Sequence, residues 1–254
     1  MNILVRDVLE IDVCLIAGRR PDLLLRTLGS FNKQLFQNFK IQRFIANIDP
    51  IFGDEADQKS CVDIINDLFP NAEISTPDKA GFTAAVRRNW SKIKAPLALH
   101  LEDDWVLQHA IGPADLAAFH RDDRLAQICF NHADKRWPIG EKGPYAYGRK
   151  RLTIFGMKTP LKSARMSIFT TSPGFLRGPF ARRCAEIMDD RFDPEKQFYK
   201  SVNPALERYV ADFRSLVLGD APNYPILDIG RDWRGDRNIN KQYDNWQSVW
   251  TEAP

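Results

Sequence analysis

Three consecutive carboxylates, Glu102, Asp103 and Asp104, follow an apolar segment that has the pattern of a buried strand. Adjacent carboxylates repel one another, and desolvating any of them is costly. Because neighbouring side chains diverge, one can reach a divalent cation while the next accepts hydrogen bonds from hydroxyl groups. Mg²⁺ and Mn²⁺ suit one or two carboxylates together with phosphate oxygens. The triplet is therefore either a solvated strand end or part of a metal site.

The segments before this triplet alternate between strand and helix four times. Apolar runs predict strands over 11–17, 39–47, 72–76 and 96–101, and helical spacing predicts helices after 18–22, over about 55–68 and over about 82–93. This alternation predicts an α/β fold with a mostly parallel central sheet and helices on both faces.

The carboxyl ends of the predicted strands carry charged residues, and this is the edge where such sheets bind ligands. Arg19 and Arg20 follow the first strand, Asp49 follows the second, and the triplet follows the fourth. Arginines and acids together suit an anionic nucleotide and a metal ion. The sequence contains neither a P-loop motif nor a dinucleotide-binding fingerprint.

The second half of the chain is less regular, but no linker separates it from the first. We expect strands over 125–130, 167–171 and 224–229, helices over about 179–188 and 203–216, a loop over 131–150 and a polar tail over 230–254. Without repeats or low-complexity segments, one domain over 1–254 is expected, with a nucleotide-binding half over about 11–107 and an acceptor-binding half over about 108–254.

The composition is that of an ordinary globular protein. The 254 residues are 44% hydrophobic and 27% charged, and the net charge of +3 is too small to argue for nucleic acid. The four cysteines lie far apart, which favours reduced, structural thiols. Neither a signal peptide nor a membrane-spanning run is visible, so a cytoplasmic protein is expected. The oligomeric state stays open, although the tryptophan-bearing tail could pack against a second copy.

Three segments in order resemble the GT-A glycosyltransferases, which use nucleotide-diphosphate sugars. The segment "LEDDW" at 101–105 resembles the E-D-D form of their D-x-D metal motif. Residues 15–31 are similar to their opening strand, turn and helix, with Arg19 where Asn is usual. The segment "GFTAAVRRN" at 81–89 is similar to the helix that precedes the acid motif.

This resemblance implies roles for individual residues in the first half. Asp104 would ligate Mn²⁺ or Mg²⁺, and Asp103 and Glu102 would contact the ribose or the waters of the metal. The nucleotide would also be bound by Arg20, Asp49, Gly81 and Arg88, with Asp49 near the base. Each assignment has a simpler alternative: Arg20 could pair with Asp22, and Asp49 before Pro50 could only form a turn.

The second half matches the same family more loosely. Residues 171–177 resemble the segment near the acceptor, and 203–208 resemble the helix that supplies the catalytic base of inverting members. Glu207 is the candidate base, with Asp189 and Asp190 as rivals. At 227–231, Asp228 replaces the His of a late "H-I-G" segment, so it either ligates the metal or borders the site. The diphosphate or acceptor candidates are Arg231, Arg234, Arg237 and Trp137.

The resulting hypothesis is a metal-dependent glycosyltransferase that transfers a sugar from a nucleotide-diphosphate sugar to a hydroxyl of a carbohydrate or glycoconjugate in glycan biosynthesis. One alternative is a sugar-phosphate nucleotidyltransferase, which usually begins with a glycine-rich loop containing a lysine; residues 18–21 are poor in glycine. The other is a non-catalytic carbohydrate-binding protein with the same fold, which would not bind a nucleoside diphosphate with metal.

Overall fold

The computed structural model describes residues 9–134, 137–149, 151–154, 157–162, 165–199, 201–244 and 247–252. The strands are β1 Glu10–Ala17, β2 Lys40–Ile48, β3 Glu73–Ser75, β4 Leu97–Glu102, β5 Trp105–Leu107, β6 Leu125–Phe130, β7 Tyr147–Gly148, β8 Arg151–Ile154, β9 Met157–Lys162, β10 Met166–Ser167, β11 Gly174–Arg177, β12 Arg214–Leu218, β13 Ile226–Asp228, β14 Ile239–Asp244 and β15 Gln247–Glu252. The α-helices are α1 Pro21–Gln34, α2 Glu55–Leu68, α3 Phe82–Ser91, α4 Ala118–Arg121, α5 Ile139–Lys142, α6 Gly178–Ile187, α7 Pro204–Val210 and α8 Gly230–Gly235.

Seven strands form the central sheet in the order β12-β6-β11-β4-β1-β2-β3. Neighbouring strands run parallel except at β11, which is antiparallel to both β4 and β6. The predicted α/β fold with a mostly parallel sheet is therefore confirmed. Strands from both halves of the chain contribute to this one sheet.

Helices cover both faces of the sheet, and β1 shows how the sequence produces this arrangement. Successive side chains of a strand point to opposite faces. Ile11, Val13 and Leu15 pack into a core with α1 and α2, whereas Cys14 and Ile16 pack into a second core with α3 and α6. Because both faces are buried, the strand is a nearly continuous apolar run, as expected for a central parallel strand.

The second half differs from the sequence-based expectation in several elements. The helix predicted over 203–216 ends at Val210, and β12 follows it; Ser215 and Val217 are buried in alternation, a period of two that favours a strand. Of the strand predicted over 167–171, Ser167 alone lies in a strand, at the end of the two-residue β10. The antiparallel strand is instead β11, where a Cβ on Gly174 would lie 2.5 Å from the carbonyl oxygen of Ile128.

Two further regions contain more regular structure than predicted. The expected loop over 131–150 contains α5 and β7, and the expected tail over 230–254 contains α8 and the antiparallel pair β14–β15. All four cysteines are free and buried, as predicted. Among the described residues, no helix has the length and apolar character needed to cross a membrane.

Burial of His100 predicts a pH-dependent stability. His100 lies on β4 with 1% of its surface exposed, and its Nδ1 accepts a hydrogen bond from Trp90 Nε1 at 3.1 Å. Burial lowers the pKa of His100 from 6.5 to about 4. Between these pH values the unfolded chain binds a proton that the folded chain does not, so stability is lost as the pH falls. The expected loss from this residue is about 3 kcal/mol.

Urea unfolding of the protein and of His100→Gln at several pH values between 7 and 4 measures this contribution. Glutamine does not titrate and keeps an acceptor for Trp90, so the variant should lose less stability than the wild type as the pH falls. His120→Gln, at an exposed position, is the matched control and should follow the wild type. Equal pH dependence in wild type and His100→Gln would contradict the prediction.

Candidate functional site

A cleft of about 640 Å³ opens at the carboxyl ends of β1, β2 and β4. The first half of the chain lines it with the turn after β1, the loop after β2, the start of α3 and the segment after β4. The second half contributes residues between 190 and 194, together with Asp228 and Arg234. This is the edge of the sheet that the alternation of strands and helices predicted. The cleft therefore joins residues that are far apart in the sequence.

Acidic side chains dominate the described lining of this cleft. Two of its residues are arginines, and seven carry carboxylates: Asp49, Glu102, Asp103, Asp104, Asp190, Asp193 and Asp228. A diphosphate entering the cleft would meet a strong excess of negative charge. Such a ligand requires an accompanying cation, or rearrangement of the charged side chains.

Arg20 and Asp103 form a buried ion pair at the base of the cleft. Arg20 Nε donates to Asp103 Oδ2 at 3.2 Å, and Arg20 Nη2 also donates to Asp103 Oδ1. The amide of Gly18 donates to Asp103 Oδ2 at 2.9 Å, so protein donors occupy both oxygens of Asp103. Burial alone would lower the pKa of Arg20, but the charges of Asp103 and Asp104 raise it overall. The ion pair therefore holds the turn after β1 against the end of β4.

Aromatic side chains fix the guanidinium of Arg20 further. Its Cζ lies 4.9 Å from the ring centroid of Phe52 and 5.5 Å from that of Trp233. Trp233 Nε1 donates to Asp22 at 3.0 Å, and the structure gives no Arg20–Asp22 ion pair. Arg20 Nη1 is buried and has no hydrogen-bond partner among the described residues. Arg20 therefore keeps one donor nitrogen that no described residue uses.

Asp104 contacts residues from the early and the late segments of the chain that form the cleft. Its Oδ2 accepts hydrogen bonds from Arg20 Nη2 and Arg234 Nη1, both at 3.2 Å. Its carbonyl oxygen accepts from the amide of Ile229 at 2.9 Å. A Cβ on Gly230 would lie 2.1 Å from Asp104 Oδ2, so only glycine allows this close approach. The start of α8 is thereby brought against the acid triplet.

Asp228 lies beside Asp104 because β13 pairs with β5, placing Asp228 opposite Trp105. One oxygen of Asp228 accepts from the amides of Gly230 and Arg231 at 2.9 and 3.0 Å. The other lies 3.9 Å from Arg234 Nη2. Burial, and then the negative charge of Asp104, raise the pKa of Asp228. The two neighbouring carboxylates therefore share a guanidinium group between them.

The donor set of this part of the cleft is compatible with a divalent cation completed by a ligand. No group of three or more potential metal-binding side chains occurs in the part of the chain that the structure describes. Two carboxylates, Asp104 and Asp228, are nevertheless adjacent, and Mg²⁺ typically takes one or two carboxylates plus phosphate oxygens. The residues thus fit a metal that arrives with a phosphate-bearing ligand rather than a site made of protein alone.

A second polar network lies at the end of β2. Asp49 is buried and accepts hydrogen bonds from the amide of Gly81 at 3.0 Å and from Asn47 Nδ2 at 2.7 Å. Arg88 donates to Asn47 Oδ1 and is not among the residues that line the cleft. The sequence analysis did not identify Asn47 as a site residue. A polar residue near the end of an apolar strand is the feature that could have indicated it. Arg88 therefore orients Asn47, which in turn donates to Asp49, from outside the cleft.

Four other candidates from the sequence do not line the cleft: Glu207, Arg231, Arg237 and Trp137. Arg231 pairs with Asp134 at 2.8 Å, and Arg237 lies over the ring of Trp233 at 4.1 Å. Trp137 Nε1 donates to the carbonyl of Gly143 at 2.9 Å. Arg231, Arg237 and Trp137 therefore have partners outside the cleft. Glu102, in contrast, lines the cleft and is partly exposed.

The side of the cleft formed by residues 190–194 carries other acids. Glu207 lies on α7, where its carboxylate accepts a hydrogen bond from the amide of Ser201. Asp190 and Asp193 line the cleft, whereas Asp189 does not and instead pairs with Arg191 at 2.6 Å. The hydroxyl of Thr83 donates to the carbonyl of Phe192, which ties this segment to α3. Of the acids named here, Asp190 and Asp193 therefore lie on this side of the cleft.

No protein-family model matches the sequence, and no curated protein matches it. Solved structures, however, have a similar fold. S. aureus TarS has a TM-score of 0.52 and 15% identity, covering 85% of this chain and 36% of that chain. The mannosyltransferase PcManGT from Pyrobaculum calidifontis, in complex with GDP-Man and Mn²⁺, has a TM-score of 0.51 and 10% identity, covering 82% and 55%. This chain spans about half or less of the length of these two proteins. This chain therefore has a GT-A-like fold, with the mostly parallel seven-stranded sheet described above.

Proposed function

We propose that the protein is a metal-dependent glycosyltransferase of glycan biosynthesis, acting from a nucleoside-diphosphate sugar on a hydroxyl of a carbohydrate or glycoconjugate. The meeting of Asp104, Asp228 and two arginines in one cleft carries the proposal. The GT-A-like fold supports it, as does the similar mannosyltransferase whose structure contains GDP-Man and Mn²⁺. Residues 1–254 would act as one domain, with the donor bound mainly by 11–107 and the acceptor mainly by 108–254.

The donor would lie along the strand ends of the cleft. Asp49, oriented by Gly81 and Asn47, would bind the base, and Glu102 would accept hydrogen bonds from the ribose. Asp104 and Asp228 would hold Mn²⁺ or Mg²⁺. Bound by these two carboxylates, the ion would supply positive charge for the diphosphate leaving group. Arg20 would keep Asp104 oriented while Arg234 donates to the diphosphate.

Asp190 would act as the base for the acceptor in a direct displacement. The hydroxyl oxygen forms a bond to the anomeric carbon while the nucleoside diphosphate leaves with the electron pair of the broken bond. The hydroxyl proton passes to the carboxylate of Asp190, which lines the cleft and is 51% exposed. Arg87 lies 2.8 Å from this carboxylate and would orient it.

Asp190→Asn is expected to lower kcat by at least about 100-fold, because a positioned general base contributes roughly 10²- to 10⁴-fold. The affinity for the nucleoside diphosphate should change little, since Asp190 is assigned to the acceptor. Initial rates and calorimetric titration separate the two quantities. Glu207→Gln is the comparison: a similar loss of kcat there, with Asp190→Asn near wild type, would return the role of base to Glu207.

Calorimetric titration with UDP, GDP, CDP and ADP, each with and without Mn²⁺, tests the proposed function as a whole. We expect one diphosphate to bind tightly and to require Mn²⁺. A subsequent assay with the matching nucleotide sugars identifies the sugar by release of that diphosphate. Absence of binding for all four diphosphates in the presence of Mn²⁺ would refute the proposal and favour a non-catalytic protein with this fold.

A further inference from the structure

We infer that Arg234 occupies the place of the metal between Asp104 and Asp228, and that it leaves this place when metal and nucleoside diphosphate bind together. This inference rests on the proposed function, because it concerns the metal of the same cleft. It assigns Arg234 a role in the nucleotide-free protein as well as in the donor complex. The guanidinium would be an internal counterion that metal must displace.

The geometry of Arg234 provides the first step. Its Nη1 lies 3.2 Å from Asp104 Oδ2, and its Nη2 lies 3.9 Å from Asp228 Oδ2. The two nitrogens of one guanidinium thus contact two neighbouring carboxylates, whose side chains are 9% and 14% exposed. A Mg²⁺ ion binds carboxylate oxygens at about 2.1 Å. The ion and the guanidinium therefore cannot both take the position between these two oxygens.

The second arginine at Asp104 is held much more firmly. Arg20 contacts both oxygens of Asp103 and lies against two aromatic rings, and its side chain is 6% exposed. Arg234 extends from the six-residue helix α8, and its side chain is 18% exposed. Displacing Arg20 would break the buried ion pair that joins the turn after β1 to Asp103, whereas moving Arg234 would leave that ion pair intact. Arg234 is therefore the exchangeable cation of the pair.

The charges explain why metal and diphosphate should bind together. A metal ion that binds without a diphosphate must break the contacts of Arg234 with Asp104 and Asp228. The guanidinium then lies in the cleft without these two carboxylate partners. A diphosphate bound to the metal offers that guanidinium new charge-assisted hydrogen bonds. Each ligand therefore lowers the cost of binding the other, which is positive coupling. Without the arginine, metal should bind the free protein more tightly and the coupling should diminish.

The test is a titration with Mn²⁺ in which electron paramagnetic resonance measures free Mn²⁺, first without nucleotide. We expect Arg234→Gln to bind Mn²⁺ at least about tenfold more tightly than the wild type, within the usual range of coupling between sites. Arg234→Lys keeps the positive charge and should remain closer to the wild type. Arg231→Gln removes an arginine that pairs outside the cleft and should match the wild type. Circular dichroism establishes that each variant is folded.

The titration is then repeated with UDP, GDP, CDP and ADP in turn. The diphosphate that binds should tighten Mn²⁺ binding more in the wild type than in Arg234→Gln. Equal or weaker Mn²⁺ binding by Arg234→Gln without nucleotide overturns the inference, as does absence of Mn²⁺ binding in every variant. If the wild type binds a diphosphate with Mn²⁺ in that case, the proposed function stands. If Arg234→Gln gains Mn²⁺ affinity but no diphosphate binds, the proposed function fails; the position of Arg234 in the place of the metal stands, and its release by a diphosphate is overturned.

Discussion

Asp104→Asn is expected to lower the affinity for a nucleoside diphosphate in the presence of Mn²⁺ by at least about 100-fold. Loss of residues that only support a metal ligand typically costs 10- to 100-fold, so loss of a direct ligand should cost as much or more. The amide preserves the shape of the side chain but removes the charge that Arg20 and Arg234 contact at 3.2 Å. Calorimetric titration with and without Mn²⁺ measures the effect.

The matched control for this change is Asp134→Asn. Asp134 is also a carboxylate paired with an arginine, Arg231, at 2.8 Å, but the pair lies outside the cleft. We expect this variant to bind metal and nucleotide like the wild type. If folded Asp104→Asn retained wild-type affinity, the metal would not be held at Asp104, and the proposed donor geometry would have to be abandoned.

Arg20→Met is expected to lower the free energy of unfolding by about 3–5 kcal/mol, the usual cost of removing one partner of a buried ion pair. Asp103 is 2% exposed and would lose the guanidinium that contacts both of its oxygens. Asp104 would lose one of its two arginine partners. Methionine preserves much of the apolar contact with the neighbouring rings, so the loss reports mainly on charge. Urea unfolding followed by circular dichroism provides the measurement.

Arg19→Met provides the control at the adjacent position. Arg19 donates to the uncharged side chain of Gln58 at 2.9 and 3.1 Å, and it is only partly buried. Its replacement should cost about 1–2 kcal/mol, less than that of Arg20, because the partner left behind is an uncharged amide rather than a buried carboxylate. Equal losses at positions 19 and 20 would show that the ion pair of Arg20 contributes no special stability and that Asp103 is tolerated without it.

The first half of the fold could be predicted because its signals are local. Apolar runs of strand length alternate with segments of helical spacing, and this alternation is typical of a parallel sheet with helices on both faces. Arg20, Asp49 and the acid triplet follow three of these strands, and parallel strands bring their carboxyl ends to one edge. Their convergence in the cleft therefore followed from the order of elements alone.

The second half was harder to predict because its elements are short and paired over long distances. Ser215 and Val217 are buried in a strand-like alternation, but the segment lies shortly after α7, and the sequence pattern predicts that the helix continues through it. β11 has only four residues and begins at a glycine. Such strands gain their stability from neighbours on both sides, β4 and β6, rather than from their own pattern.

The arginines of the C-terminal segment show the same limit within the site. Arg231, Arg234 and Arg237 are three residues apart, and on a helix each is rotated by about 60° from the previous one. Only Arg234 reaches the cleft; Arg231 contacts Asp134, and Arg237 follows the end of α8 and lies over Trp233. The spacing itself does not distinguish among them. Which one reaches Asp104 depends on how Gly230 allows α8 to approach.

The sequence by itself thus determined the class of the fold, the edge of the sheet that carries the cleft, and the acids and arginine that meet there. These features depend on hydrophobic periodicity and on the residues that end each strand. Only the tertiary structure decided that Arg20 is clamped by Asp103, that Arg234 lies between Asp104 and Asp228, and that Glu207 lies away from the cleft. Those outcomes depend on contacts between segments more than 80 residues apart, such as Arg20 with Asp103 and Asp104 with Arg234, which no local pattern encodes.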